Sequence, residues 1–452
     1  MTHGESDDHR PSQAGKQSSP TPMAADMKPH FRQNLVLIHR WLGLTMAGFL
    51  LLAGCTGAIL AWNEELDHWL NPELFYSKAP TAAARPLDPV LLRQHVAQAF
   101  PDAQANTVPL AQEAGRSVIF WLSGRMQADG TLSEPANDQI FVDPYSGRIQ
   151  GARHWGDISQ GKQNLIPFIY RLHYSLALGD WAGTVFGIIA LLWTVDCFAG
   201  AWLTFPAPQR KNAAALPTKA GKSWRQRWAV SWKIRRGGCS YKLIFDWHRA
   251  ASLWLWAMLL VLAWSSVSFN LPAVYKPVMQ ALFASQPEPG LQAAVRPGGQ
   301  APKLGWDAAR TRGRALMTAL AARKGFVILE EDDLSYDARS GLYSFSTRSS
   351  LDVSRRWGST LVYFDGDSGT ERGAWLPTTE ASGDTIRSWL TSLHMAAIGG
   401  LPYKLFIMLL GLVVGSLSVT GVAIWWRKRR GRQSQARARQ QQSLTLQDAE
   451  QG

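Results

Sequence analysis

Four long apolar runs interrupt an otherwise polar chain, at residues 35–62, 182–205, 248–269 and 399–426. Each has 22 residues or more, enough as a helix to cross an apolar layer of about 30 Å. The stretches between the first and second runs, and between the third and fourth, follow soluble patterns. Residues 89–100 have apolar positions at helical spacing, with Asp88 placed to cap them and Pro89 suited to the first turn. Strands are expected at 116–122 and 139–143. In the later stretch a helix is expected over 306–324, with strands at 326–329, 342–347 and 359–364. Each stretch therefore reads as a helix on antiparallel strands, a small α+β module. Residues 281–303, rich in Pro, Gly and Gln, read as a surface loop.

Charge orients these elements. Of the net +13, much is concentrated in 206–245, with ten Lys or Arg and no acid, and in 427–452, with seven bases against two acids. The soluble stretches are near neutral: nine bases against twelve acids over 63–172, and fourteen against thirteen over 270–393. The positive-inside rule then puts both termini and the short basic loop in the cytoplasm and both modules outside. Bases that flank membrane spans retain topology and meet anionic lipid heads, so no nucleic-acid partner is expected.

The three cysteines fall at 55, 197 and 239, so neither exported stretch can form a disulfide. Leu52-Ala53-Gly54-Cys55 has the look of a lipoprotein cleavage box. The apolar run continues past it to Trp62, however, and 34 residues precede the run, unlike a signal peptide. The first thirty residues, rich in Ser, Pro, Gln and Asp, read as a disordered leader.

Histidine adds the chemistry. Of ten histidines, His39, His173, His248 and His394 lie at the mouths of the four apolar runs. Imidazole is a good haem-iron ligand, and facing helices are where such sites are built. The chain also repeats loosely. His39-Arg40-Trp41-Leu42 opens the first run and His248-Arg249-Ala250-Ala251 the third. Leu172-His173 precedes the second run and Leu393-His394 the fourth. The two members of each half are 134 and 146 residues apart. His39 and His248 begin outward-going helices, so they share the cytoplasmic face; His173 and His394 share the opposite one. The expected axial pairs are His39 with His248 and His173 with His394. Without Cys-x-x-Cys-His, any haem is of the non-covalent b type. Arg40, Arg249 and Arg171 are placed to meet haem propionates. His68 and His154 compete for the outer site. Met395 cannot share an iron with its neighbour His394, because adjacent helical residues diverge by about 100°. Trp41, Trp247, Trp181 and Trp389 are candidate neighbours or members of an interfacial belt. Asp196, a carboxylate within the second run, should face the bundle interior in a structural or proton-handling role. The run Glu330-Glu331-Asp332-Asp333 reads as a solvated loop. Trp224, Trp228 and Trp232, at helical spacing in the basic loop, could lie on the membrane or dock an acidic donor.

Each module ends in a similar turn, Val142-Asp143-Pro144-Tyr145-Ser146-Gly147 and Phe364-Asp365-Gly366-Asp367-Ser368-Gly369. A run opening with His-Arg, an exported module ending Val-Asp-Pro-x-x-Gly, and a second histidine before a return run resemble the PepSY-associated transmembrane proteins. These include iron-regulated inner-membrane proteins and ferrisiderophore reductases, and the resemblance covers roughly residues 32–430. It implies a membrane α-helical protein of the bacterial inner (cytoplasmic) membrane with two b-type haems, linked to reduction of a periplasmic ferric siderophore or other ferric chelate. The expected architecture is a four-span bundle in two tandem pseudo-repeats, each with an α+β periplasmic PepSY-like module. Its parts are a leader (1–31), spans at 32–63, 173–205, 246–269 and 391–426, modules at 64–172 and 270–390, a basic loop (206–245) and a basic tail (427–452). No Gly-x-Gly-x-x-Gly occurs, and the one Gly-x-x-x-x-Gly-Lys, at 156–162, is followed by Gln163 rather than the Ser or Thr of a phosphate loop, so the cytoplasmic electron donor must be separate. Two alternatives remain open: a haem electron carrier serving a quinone or a periplasmic protein, and a non-enzymatic PepSY anchor or binding protein.

Overall fold

The computed structural model describes residues 27–125, 127, 131–207, 223–237, 239–287 and 301–451. Most of the leader, and parts of the basic loop and of the 281–303 loop, lie outside the described residues.

The described residues form thirteen α-helices: α1 (Met27–Leu60), α2 (Asn63–Leu70), α3 (Pro72–Phe75), α4 (Pro89–Ala99), α5 (Leu165–Ser175), α6 (Asp180–Thr204), α7 (Trp224–Trp228), α8 (Ser240–Trp254), α9 (Trp256–Asn270), α10 (Pro272–Leu282), α11 (Trp306–Lys324), α12 (Ser382–His394) and α13 (Gly400–Gln451). Three of them hold an apolar stretch long enough to span a membrane, at Phe31–Leu60, Asp180–Thr204 and Gly400–Gln442. A fourth span exists if α8 and α9 are counted together. They meet at Leu255 with a 71° bend, where one straight run was expected over 248–269. Neither Pro nor Gly marks the break. The indoles on either side are tied in different directions: Trp254 donates to the Trp232 carbonyl at 3.1 Å and Trp256 to the Cys197 carbonyl on α6 at 2.9 Å.

The spans pack as a ring, with α1 against α13 and α6, α6 against α9, and α8 against α13. The α1–α13 seam is close. A Cβ on Gly54 would stand 2.6 Å from the Gly411 carbonyl oxygen, so nothing larger than glycine fits without parting the helices.

His173 and His394 depart from expectation in one respect. They do not open the second and fourth spans. Each sits near the end of a separate short helix, α5 or α12, that precedes the span. Left-handed backbone separates helix from span: Leu176, Ala177 and Gly179 in the first case, Ala396, Gly399 and Gly400 in the second. The apolar sequence continues through these breaks, which is why periodicity alone joined helix and span. At the far end α13 runs on without a break through the basic tail.

Between the spans, the described residues form three antiparallel sheets. β3 (Val118–Trp121), β5 (Gln139–Val142) and β6 (Ile149–Arg153) make one, with α4 packed on it through Leu92 and Val96. Asp88 caps α4 as expected, accepting from the Val90 N–H at 2.8 Å. β1 (Ala103–Gln104) pairs with β4 (Ser123–Gly124). The largest sheet has the order β10 (Glu371–Trp375), β9 (Thr360–Asp365), β8 (Leu342–Ser349), β7 (Ile328–Asp337), β2 (Thr107–Pro109). Its last strand comes from the first half of the chain. β2 pairs with β7 in the register Val108 to Leu334, and Val90, Val108 and Leu110 enter the core beneath α11. The two modules are therefore joined through a shared sheet.

The acidic run 330–333 lies in β7 rather than in a loop. Glu330 pairs with Arg348 at 2.7 Å and Glu331 with Arg314, while Asp332 accepts from the Gly358 N–H at 2.9 Å. Cross-strand and helix-borne arginines thus hold charges that sequence alone assigned to solvent. The two Ser-Gly turns match atom for atom. The Gly147 N–H returns to the Asp143 carbonyl at 2.8 Å and the Gly369 N–H to the Asp365 carbonyl at 2.9 Å, both with positive φ.

Candidate functional site

Two imidazole pairs lie at opposite ends of the bundle. At the basic end, His39 on α1 faces His248 on α8, with ring centroids 6.3 Å apart and planes at 66°. At the end carrying the sheets, His173 on α5 faces His394 on α12, at 6.4 Å and 76°. Along α1 the residue that touches His173 is Thr56, 17 positions beyond His39. At 1.5 Å per residue the two pairs are about 25 Å apart along the helix axis.

All four rings are held in the same way, by Nδ1. His173 Nδ1 meets Thr56 Oγ1 at 2.9 Å, His248 Nδ1 meets Thr420 Oγ1 at 3.0 Å, and His394 Nδ1 meets Ser265 Oγ at 2.7 Å. Each of these hydroxyls already donates to the carbonyl four residues back, at Leu52, Ser416 and Val261, over 2.7–2.8 Å. Its proton is committed, so the oxygen accepts and the ring nitrogen donates. His39 Nδ1 instead meets the Asp196 carboxylate at 2.8 Å. In every ring the proton sits on Nδ1 and the Nε2 lone pair is left for a ligand, the usual outer-sphere arrangement for a metal-binding histidine.

The spacing fits one metal ion per pair. A metal–imidazole bond is about 2.0 Å, and a five-membered ring of ~1.33 Å bonds has a radius of about 1.1 Å. Two imidazoles in line across one ion then have centroids a little over 6 Å apart, as both pairs do. Among the described residues no group of three or more His, Cys, Asp or Glu could hold a metal ion. A two-nitrogen set is complete only where the ion brings its other ligands with it, as iron does in haem.

The pair at the basic end opens on a cavity of about 810 Å³. Its walls are mainly apolar, from residues such as Leu44, Leu50, Leu253, Leu259, Val414 and Leu417. Its rim carries Arg32, Arg40, Arg249, Lys428, Arg429 and Arg432. Both Arg40 and Arg249 bury an Nε with no hydrogen-bond partner, which suits them to anionic groups arriving with a ligand. Arg249 also gives Nη2 to Asp246 at 3.0 Å. Close approach to two of the rings depends on glycine: a Cβ on Gly57 would stand 3.1 Å from His173 Cε1, and one on Gly421 3.3 Å from His248 Cε1.

Arg171 is placed elsewhere. Its side chain lies over Gly156 and lines a separate cleft with His154 and Asp157. The arginine that reaches the His394 helix end is Arg356, with Nη1 3.4 Å from the Met395 carbonyl and a buried Nε that has no partner. It arrives on the 350–359 segment of the second module, which sequence gave no reason to bring there. The competing histidines have other partners. His68 meets Arg116 Nη1 at 2.8 Å, and burial followed by that guanidinium holds its pKa below the usual histidine range. His154 lies 3.7 Å from Glu134 and 3.9 Å from Asp138. The Met395 sulfur contacts the Tyr170 hydroxyl at 4.0 Å. Trp41, Trp181 and Trp389 are exposed, as belt residues are, whereas Trp247 donates to Ser416 Oγ at 3.2 Å.

Thr56, Ser265 and Thr420 were not singled out from sequence. A signal was present for two of them: Thr56 follows His39 by 17 residues, and Ser265 follows His248 by the same number.

No curated protein matches the chain. Residues 36–428 match the family model of the PepSY-associated TM region, and the chain belongs to that family.

Proposed function

We propose that this protein is a dihaem b-type oxidoreductase of the bacterial inner membrane that passes electrons outward to reduce a periplasmic ferric siderophore and release Fe(II). In this reading the bundle is a four-span unit of two tandem halves, with the α8–α9 pair as one bent span. Both termini are cytoplasmic and the sheets are periplasmic. The observation that carries the reading is the two facing imidazole sets, with ring centroids 6.3 and 6.4 Å apart, a separation that one metal ion could bridge.

His39 and His248 would hold the inner haem, with Arg40 and Arg249 taking its carboxylates. His173 and His394 would hold the outer one. A haem iron supplies a one-electron couple between Fe(III) and Fe(II). The chain's own part is to fix the four rings, to exclude water with apolar walls, and to set the two sites about 25 Å apart along the span direction. The donor is a separate cytoplasmic reductant such as a reduced flavin. At the outer face one electron converts the ferric chelate to ferrous, and hard oxygen ligands hold Fe(II) less tightly than Fe(III).

Two measurements test this. Pyridine haemochrome analysis of quantified protein should give two b-type haems per chain. Reduced protein mixed with ferric siderophore under anaerobic conditions should reoxidise while a ferrous chelator traps the product. A haem-free preparation from haem-replete cells would refute the redox reading. Reoxidation by a quinone, and by none of several ferric chelates, would move the acceptor.

A further inference from the structure

Three of the four imidazoles are supported by neutral hydroxyls, and the fourth by a carboxylate. Asp196 is buried on α6, its Oδ1 is 2.8 Å from His39 Nδ1, and it lines the cavity between the basic-end rings. Thr420 supports the other ring of that pair, and Thr56 and Ser265 support both rings at the sheet end. The asymmetry therefore distinguishes one end of the bundle from the other, not merely one ring from its partner.

A carboxylate accepting from Nδ1–H draws that proton toward itself and makes Nε2 a stronger donor. A stronger donor, and a negative charge one ring away in a low-dielectric interior, favour the higher charge state of a bound metal. A hydroxyl whose own proton is committed to a helix carbonyl does this much less. The basic rim of the cavity acts in the opposite sense, but it is unchanged when Asp196 alone is replaced.

We propose that Asp196 is a positioning residue that lowers the reduction potential of the basic-end site relative to a hydroxyl-supported one, so that electrons are biased to move from the basic end toward the sheets. The proposal rests on the dihaem reading above. The step it biases is a one-electron exchange with no bond made or broken: the basic-end site is oxidised and the sheet-end site reduced. The electron at the basic end is replaced from the cytoplasmic reduced flavin.

The test is spectroelectrochemical titration of the purified, haem-loaded full-length protein, alongside Asp196→Asn and Asp196→Thr. The first variant keeps an acceptor without the charge, and the second copies the support used at the other three rings. The two spectral components are assigned with His248→Ala, which removes the basic-end one, and His394→Ala, which removes the other. Both Asp196 variants should raise the basic-end potential by at least a tenfold change in the reduced-to-oxidised ratio at fixed ambient potential, about 59 mV for a one-electron couple. The sheet-end potential should stay where it is. Unchanged potentials in haem-loaded variants would overturn the proposal and leave the dihaem reading standing. Loss of the basic-end component from both variants would also overturn it, making Asp196 a support rather than a tuner. A haem-free wild-type protein would overturn the underlying reading, and the proposal with it.

Discussion

Removing one imidazole from each pair tests the pairing itself. His248→Ala should abolish the basic-end haem and spare the other, taking the ratio from two haems per chain to one. His394→Ala should do the reverse. The structure sets the size of the cross-talk. The pairs are about 25 Å apart along α1, and their supports do not overlap: Thr420 and Asp196 serve one, Thr56 and Ser265 the other. Sites that distant should be additive to about 0.3–0.5 kcal/mol, roughly twofold in affinity. The double variant His248→Ala/His394→Ala should therefore hold no haem, while His39→Ala/His248→Ala should hold one, as His248→Ala alone does. His248 is the cleaner probe of its pair. Removing His39 strands the Asp196 carboxylate inside the bundle, and an uncompensated buried charge costs about 3–5 kcal/mol. Removing His248 leaves Thr420 still bonded to the Ser416 carbonyl. His39→Ala should accordingly melt well below His248→Ala. Haemochrome stoichiometry with low-temperature difference spectra reads the result. If His248→Ala and His394→Ala delete the same spectral component, the pairing is wrong.

Three further outcomes follow from other parts of the molecule. Alkaline phosphatase fused after Thr131 should be active and after Ser223 inactive; the reverse would invert the bundle. Arg153 is fully buried, with Nη2 2.7 Å from Asp67 Oδ2 and Nε 2.6 Å from Gln139 Oε1, so Arg153→Met should cost about 3–5 kcal/mol by stranding Asp67, read as a lower Tm with both haems retained below it. Asp333 lies where β2 joins β7, and burial followed by the charge on Asp332 raises its pKa to about 6. The folded state thus binds that proton more tightly than the unfolded chain, and stability is lost as pH rises from about 4 to 6; Asp333→Asn should raise the Tm at pH 8 and leave it unchanged at pH 4.

The membrane runs and the α4 and α11 helices were legible because local signals mark them: long apolar stretches, a capping aspartate with proline behind it, and helical spacing. The ring pairs were legible too, since topology restricts which helix mouths can meet. What escaped the sequence was non-local. Nothing before Thr107 or after Pro109 marks a strand that completes a sheet over two hundred residues away. The breaks after His173 and His394 fall in apolar sequence, where left-handed leucine and alanine residues carry no signature. Arg171 was chosen for its nearness in sequence to His173, whereas a guanidinium that does reach the His394 helix end belongs to Arg356, carried there by a loop of the other module. The hydroxyls behind the rings are single Ser and Thr residues in apolar helices, where hydrogen bonding to the preceding turn is the ordinary reading.

The hydrogen bonds behind the rings divide the molecule differently from the ring pairs themselves. His39 is supported by Asp196 and His173 by Thr56, all within the first half of the chain; His248 is supported by Thr420 and His394 by Ser265, all within the second. Each half is thus a hairpin that orients its own two imidazoles, one at either end. Each ring pair, in contrast, takes one member from each half. Orientation is therefore settled within a half, but a two-nitrogen site exists only where the halves meet, along the α1–α13 and α6–α9 contacts. The left-handed residues after α5 and α12 belong to the same economy. Backbone in that region costs about 1–3 kcal/mol per non-glycine residue, and it lets a short helix end beside the bundle so that its histidine reaches a hydroxyl on the first span of its own half. A continuous helix through residue 176 or 396 would remove the strain and turn the ring away from that hydroxyl. The strained turns, the hydroxyls and the contact between halves are thus conditions for one geometry, and losing any of them should be felt first at the sheet-end pair.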